Sequence, residues 1–536
     1  MNHHRMMIKP LLAALALAAA FPAAAQDAQS LPQPSQGGAA AAFRLGQIRL
    51  SGAQSLPEAE LQTLAAPYIG RDVTLADLET LADKLTVLYR SRGYFLAQAV
   101  VPMQTVRDGV VEISIIEGRL GNLALNIDPA TPFSEARARA ILSPLQAGQP
   151  LNGPQYERAM LLLSDQPGIR AGSALQAGVQ AGTTDMTVEI QSARRWSFSA
   201  DADNYGTRET GRYRAGGSAR WASPTGIGDA LDARLMLSNS GGLALGRLSY
   251  EAPLGSAGWR AGIGISHVQY QLGGAFGALD AHGEADVADA SLNYPVIRSR
   301  RHNFVVQMRT EYKKLHDQYG AVEFDGHKRV QGLGLGWNWE LRDDVFGGGY
   351  WSSTATWYHG HLSLRDAQTV ASDLPANGGR GAAGNFDKFS FQLSRLQALA
   401  PSHTLFLSLG GQWARKNLDA SEQLALGGAS AVRAYSSDEV LVDQGAIASV
   451  QWRYSLDGGL TPYLFYDAAR GWPSRNRLPG ETANIQNLRG GGLGLQWARS
   501  GDFNLNLTLA WGAGNRPAAR EGSRNPRIYL QAQKAF

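Results

Sequence analysis

The chain has 536 residues, 44% of them hydrophobic and 18% charged, with a formal net charge of +4. That length has room for several domains, and with so small a charge no long Lys/Arg run points to a nucleic-acid-binding surface. With no cysteine, a disulfide framework and a thiolate metal site are excluded.

Residues 1–25 read as a secretory signal peptide. His3, His4, Arg5 and Lys9 form a cationic start, residues 11–20 a short apolar core, and Ala23, Ala24 and Ala25 offer small side chains for cleavage, so the mature chain is expected to begin near Gln26. No later stretch reaches the roughly 20 apolar residues that a transmembrane helix needs. Residues 26–42, rich in Pro, Gln, Ala and Gly, are expected to form a flexible linker or a plug segment.

The segment 43–119 predicts the order β-α-α-β-β: a strand at 44–50, a short helix at 57–66, a stronger helix at 75–91, and strands at 95–101 and 110–117. The stronger helix has Thr74 as N-cap, Leu75, Leu78, Leu81, Leu85 and Leu88 at three- and four-residue steps, and Gly93 at its stop. Asp108-Gly109 suits the turn between the two strands. The segment 120–193 repeats the order of elements, with a strand near 122–127, helices near 133–142 and 153–164, and strands near 172–180 and 185–191. An exposed sheet edge can accept an extended chain by strand addition. The candidate partner-binding edges are the strand bounded by Phe95 and Val101 and the strand bounded by Asp185 and Gln191.

From residue 194 onward the surroundings change. All 12 tryptophans lie at or beyond Trp196, and Trp and Tyr favour the headgroup layer of a membrane because an apolar ring with one polar group suits that boundary. In Phe503-Asn504-Leu505-Asn506-Leu507-Thr508-Leu509-Ala510-Trp511 the odd positions are large and apolar, the even ones polar or small. That is period two, a strand with one greasy face. Residues 196–203 repeat the scheme with Asp201 and Asp203 opposite Trp196 and Phe198, so the inner face is wet. Strands are expected near 196–204, 212–221, 229–238, 243–251, 258–270, 285–294, 302–314, 328–339, 350–360, 386–398, 403–413, 441–452, 460–467, 490–497, 503–511 and 527–536, sixteen in all, an even number as a bacterial barrel requires. The fold class expected is therefore a transmembrane antiparallel β-barrel over 194–536, preceded by two small α+β domains. Alternating glycines at 332–336 and 490–494 are expected to leave room for something packed inside the barrel.

With that organisation, the chain resembles the two-partner secretion transporters of the outer membrane, which carry two POTRA modules ahead of a sixteen-stranded barrel. The sharpest motif is Val432-Arg433-Ala434-Tyr435, between the eleventh and twelfth strands and preceded by Leu426-Gly427-Gly428. The resemblance implies that the loop at 414–440 folds back into the barrel lumen and that Arg433 pairs with Asp467, which follows Phe465 by two residues on the thirteenth strand. Ala434 stands where the family carries Gly, so the backbone there needs no Gly-only conformation. The resemblance also implies that the terminal Phe536 is the aromatic read by the barrel-assembly machinery, although Lys534 departs from the usual apolar residue two places before it.

The function expected from this resemblance is passage of an unfolded exoprotein, a large β-helical adhesin, haemolysin or haemophore, from the periplasm to the cell surface without ATP. Outer-membrane lipid and the assembly machinery are the other partners expected, with no cofactor, metal or nucleic acid. An outer-membrane insertase and a passive porin are the alternatives. Enzyme motifs are lacking: there is no Gly-x-Ser-x-Gly elbow, zinc helix or phosphate loop. His359 and His361 alternate on one strand face and read as a polar surface pair.

Overall fold

The computed structural model describes residues 42–437, 439–481, 484–513 and 525–536. The expected signal peptide and the linker as far as residue 41 lie outside the described residues.

In the first unit, helices α1 (Glu58–Ala65) and α2 (Leu75–Ser91) cover a three-stranded sheet. The strand Val110–Ile116 is its centre, with Gln47–Ser51 parallel on one side and Gln98–Val100 antiparallel on the other. The α2 cap forms because Thr74 Oγ1 accepts the Asp77 N–H while the Asp77 carboxylate accepts the Thr74 N–H, satisfying two otherwise orphaned donors. Leu78, Leu81, Leu85 and Tyr89 on the inner face of α2 are buried with Val111, Ile113 and Ile115, whereas Leu75 in the first turn is 56% exposed.

The second unit repeats this plan with α3 (Glu135–Leu142) and α4 (Gly153–Ser164). Its sheet corrects one expectation. Thr183–Ser192 pairs parallel with Arg119–Ile127 and antiparallel with Ile169–Ala177, so it is the central strand, and the stretch from Asp185 to Gln191 offers no edge. The reason is the parallel crossover, which inserts the last strand between the first and the fourth element of the unit rather than outside them.

Among the described residues, sixteen antiparallel strands then close a barrel, from Trp196–Asp203 to Arg527–Ala535. Alternation sorts their side chains. Leu235 and Leu237 point outward, 67% and 61% exposed to the lipid side, as do Ile263 and Ile265. Inside, Arg234 pairs with Asp201, Arg214 with Asp203, and Arg247 with Asp289. Trp196 stacks on Trp221, Trp259 on Tyr294, and Trp497 meets Phe503 near the end where the chain enters, while Trp413 and Trp511 lie near the other end. Two aromatic girdles are what a bilayer-spanning barrel requires.

Several strands run longer than alternation predicts: Ala281–Arg298, His302–Tyr319, Phe324–Asp343 and Gly349–Leu364. Where they rise beyond the lipid both faces are wet, so no greasy face marks the extension. The twelfth strand begins at Gln444, because Leu441–Val442 pairs with Leu424–Ala425 in the preceding loop instead.

The second unit is seated on the entry-side rim. Arg298 at the end of the sixth barrel strand donates two hydrogen bonds of 2.7 Å to Asp165 just after α4, and Ser223 and Gly255 of the rim turns bond to Pro132 and Arg137.

Candidate functional site

Residues 415–443 join the eleventh strand, His403–Ala414, to the twelfth. A short ladder between Leu424–Ala425 and Leu441–Val442 forms a neck, beyond which the chain makes a compact tip. Gly428, at φ 115°, is in a region that side-chain-bearing residues avoid, and its N–H donates to the Tyr435 carbonyl at 3.0 Å. Leu426, Val432, Tyr435 and Val442 are buried with Ala469 and Leu488 of the wall. The loop touches the seventh, eighth and tenth barrel strands through its charged root and the thirteenth, fourteenth and sixteenth through its tip. A segment that reaches opposite walls at once lies inside the bore.

At the tip, Arg433 donates from Nε and Nη2 to the two oxygens of Asp467, at 2.8 and 2.6 Å, and its backbone N–H adds a third bond to Asp467 at 3.1 Å. The guanidinium lies 3.5 Å from the Phe465 ring centroid and also bonds Ser449, whose hydroxyl donates to Asp467. Asp467 is fully buried and Arg433 nearly so. The planar fork matches the carboxylate, and the ring face stabilises the cation where water is scarce. Strand alternation puts Phe465 and Asp467 on the same inward face, which is why an aromatic and an acid two residues apart can meet one guanidinium.

Ala434 packs against Gly490, where an added Cβ would stand 2.6 Å from the Ala434 Cβ. Gly492 and Gly494 are likewise filled by the rings of Phe465 and Tyr463. The glycine run therefore makes room for the loop tip and for lumenal rings. Tyr435 donates from its hydroxyl to the Arg489 carbonyl and receives the Tyr529 hydroxyl on its own carbonyl.

The root of the loop carries a second set of contacts that the sequence reading missed. The buried Glu422 carboxylate lies 2.9 Å from Lys313 and 2.8 Å from Lys388, and Asp419 lies 3.1 Å from Lys328. Asp443, fully buried, accepts from Arg380, Gln423 and the backbone N–H groups of Leu418 and Arg475. Arg380 comes from the loop at 365–383, so Asp443 ties three surface-side loops together. Asp419 and Glu422 lie within the loop expected at 414–440, whereas Asp443 falls in the strand expected at 441–452. Nothing local announces lysines on distant strands as their partners.

The other expected site residues are dispersed. Phe95 is in a turn ahead of Gln98–Val100 and packs on Tyr156 of the second unit, at a centroid distance of 6.1 Å. Val101 follows that strand and leans on the first core. The outer side of the strand is partly sealed, since the Ala99 N–H donates to Thr86 Oγ1 of α2 at 2.9 Å. Asp185 accepts the Asn122 N–H at 2.7 Å, and Gln191 pairs with Arg170 within the sheet. Phe536 is 57% exposed and its N–H donates to the Phe198 carbonyl; Lys534 pairs with Asp502 at the entry-side rim.

Comparison with known proteins agrees with this architecture. The family described as haemolysin secretion/activation protein ShlB/FhaC/HecB matches residues 182–497, and the POTRA domain of ShlB type matches residues 43–118. The heme/hemopexin transporter protein HuxB of Haemophilus influenzae (strain 86-028NP) is 28% identical over 459 residues, 84% of this chain and 80% of its own. The solved structure of CdiB from Escherichia coli superposes with a TM-score of 0.74 at 20% identity, covering 94% of this chain and 93% of that one. BamA from Haemophilus ducreyi, lacking POTRA domains 1–3, gives 0.52 at 14% identity over 92% of this chain and all of that one. These structural likenesses establish the fold.

Proposed function

The chain belongs to the haemolysin secretion/activation family, as an outer-membrane transporter of a partner with periplasmic POTRA structure and no enzymatic role, and from that premise we propose that its bore passes an unfolded exoprotein gated by the loop at 415–443. The observation that carries this reading is the bidentate Arg433–Asp467 pair, buried against Phe465 at the end of a loop that occupies the bore. The pair fixes the position and orientation of the compact tip against the wall, together with the Ala434 and Tyr435 contacts beside it. Removing one partner of a buried pair leaves the other charge uncompensated at a cost of about 3–5 kcal/mol, so the seated tip depends on both residues.

The exoprotein, a large adhesin, haemolysin or haemophore, adds an extended strand to a periplasmic sheet edge. The nine-residue outer strand Ile169–Ala177 is better suited than Gln98–Val100, part of whose edge is taken by Thr86. Folding of the cargo outside the cell biases passage outward, so no ATP is required. Outer-membrane lipid surrounds the girdled wall, and the assembly machinery reads the exposed Phe536 during insertion.

Export of the partner by Arg433→Ala should fall to background while the barrel assembles normally in the outer membrane. Normal secretion by that variant would remove the gating role. The fold shared with BamA keeps an insertase as the second reading: removing residues 43–192 should stop export of one partner, and a general loss of outer-membrane barrels would favour the insertase instead.

A further inference from the structure

Beyond the lipid-facing band, the outer wall of the barrel carries a constellation that the transport reading does not use. Glu284, His316 and His327 stand directly opposite one another on the sixth, seventh and eighth barrel strands, and Asp325 is two residues from His327 on the same face. That face is the outward one, since His316 shares parity with the exposed Met308 and His327 with the exposed Leu335 and Trp337. His327 stands six positions along the eighth strand from Leu333, its last outward apolar residue, a rise of roughly 20 Å.

We infer that His316, Asp325 and His327 form a binding site for a borderline divalent transition-metal cation such as Zn2+, with Glu284 orienting the first histidine. Their donor atoms all lie within 4.8 Å of one another. His316 Nε2 is 2.6 Å from Asp325 Oδ1, so one proton sits between a nitrogen and a carboxylate oxygen where a cation can replace it. The two imidazole rings are stacked face to face, 4.2 Å between centroids and 18° apart in plane, so their in-plane nitrogen lone pairs run nearly parallel. Donors around a tetrahedral zinc stand about 3.3 Å from one another, following from bonds of roughly 2.0 Å. Reaching that spacing requires the stacked rings to rotate toward one point, and antiparallel pairing keeps the two histidine Cβ atoms opposite each other, close enough for it.

Glu284 Oε1 is 3.6 Å from His316 Nδ1. Glu284 is an ion-pair neighbour at that distance; once a cation displaces the proton on Nε2, rotation of Glu284 onto Nδ1 holds the remaining proton there, and three protein ligands leave a fourth position open to water. Imidazole with carboxylate suits Zn2+, Ni2+ or Cu2+ rather than Mg2+ or Ca2+. The contrast with His359 and His361 is instructive: each has a single partner, Asp387 at 2.9 Å and Asn385 at 2.6 Å, and no second imidazole across the strand. The ligand backbones are also tethered. Asp325 N–H donates to Gln368 and His327 N–H to Asp366, both in the loop that sends Arg380 to Asp443, so a bound cation stiffens the hairpin to which that loop is hydrogen-bonded.

Calorimetric titration of ZnCl2 into the purified mature protein in detergent tests this, beside His316→Ala/His327→Ala, Asp325→Asn and His359→Ala/His361→Ala. One saturable site is expected in the wild type and in the His359/His361 variant, with affinity at least about tenfold weaker in the other two, since even outer-shell partners of a metal are worth that much. Asp325→Asn keeps the size of the side chain and guards against a folding defect in the double variant. Absence of saturable zinc binding by the wild type, undiminished affinity in His316→Ala/His327→Ala, or equal loss in both histidine pairs would overturn the site.

Discussion

A guanidinium and a carboxylate withdrawn together from water depend on geometry as much as on charge. Arg433→Lys keeps the charge but loses both the second parallel hydrogen bond and the flat stacking on Phe465, so export should fall to a level between wild type and Arg433→Ala. Export by Arg433→Lys equal to wild type would mean that charge alone holds the tip. At the root, Glu422→Gln leaves Lys313 and Lys388 facing each other without their shared anion. The loop should loosen there, and ion conductance of the variant in planar bilayers should exceed that of the wild type. Unchanged conductance would show that the root pairs do not help to close the bore. At this scale the tip residues, Val432 to Tyr435 with Phe465 and Asp467, were legible through a motif, while Glu422 was not: its lysine partner Lys313 is 109 positions away.

Helix α2 shows how a local rule survives into the tertiary structure. Thr74 and the leucine stripe were readable because capping and the helical repeat are short-range, and the helix forms over Leu75–Ser91 as expected. Hydrogen bonds from the Thr74 backbone and side chain hold the Asp77 carboxyl below its ordinary value. A carboxyl whose pKa is depressed on folding stabilises the fold above its unfolded pKa and loses that contribution as pH falls through the folded one. The cap should therefore weaken below about pH 4, and amide exchange in the first turn of α2 should accelerate there in the wild type. Asp77→Asn should already exchange faster at neutral pH and respond less to acid. Sheet edges behave differently. Whether a strand is central or outer depends on the crossover that places it, which is why the stretch from Asp185 to Gln191 was read as an edge and lies in the middle strand, Thr183–Ser192.

For the whole molecule, the second unit is tied to the barrel rim through contacts at several turns. The Asp165–Arg298 pair is bidentate but partly exposed, so it contributes no more than about 1 kcal/mol by itself and acts with the neighbouring Ser223 and Arg137 contacts. Because the chain lacks cysteine, spin labels on Val179→Cys and Ser500→Cys, both exposed positions, can report the distance between unit and rim. Asp165→Ala should broaden that distance distribution, and an unaltered distribution would assign the seat to the other contacts.

The membrane imposes one repeating rule on every spanning strand, greasy outside and wet inside. A period of two, the tryptophan girdles and the number of strands could therefore be read from the chain alone. Alternation tells which face a residue occupies and nothing about what stands across the bore or on the next strand. The Glu422–Lys313–Lys388 cluster, the Asp443 hub, the outer-wall row of His316 and His327, and the order of strands in the second sheet were decided only when the barrel closed and the loop folded in. Those contacts join residues far apart in sequence, and their meeting depends on register and closure, which no short stretch of chain encodes.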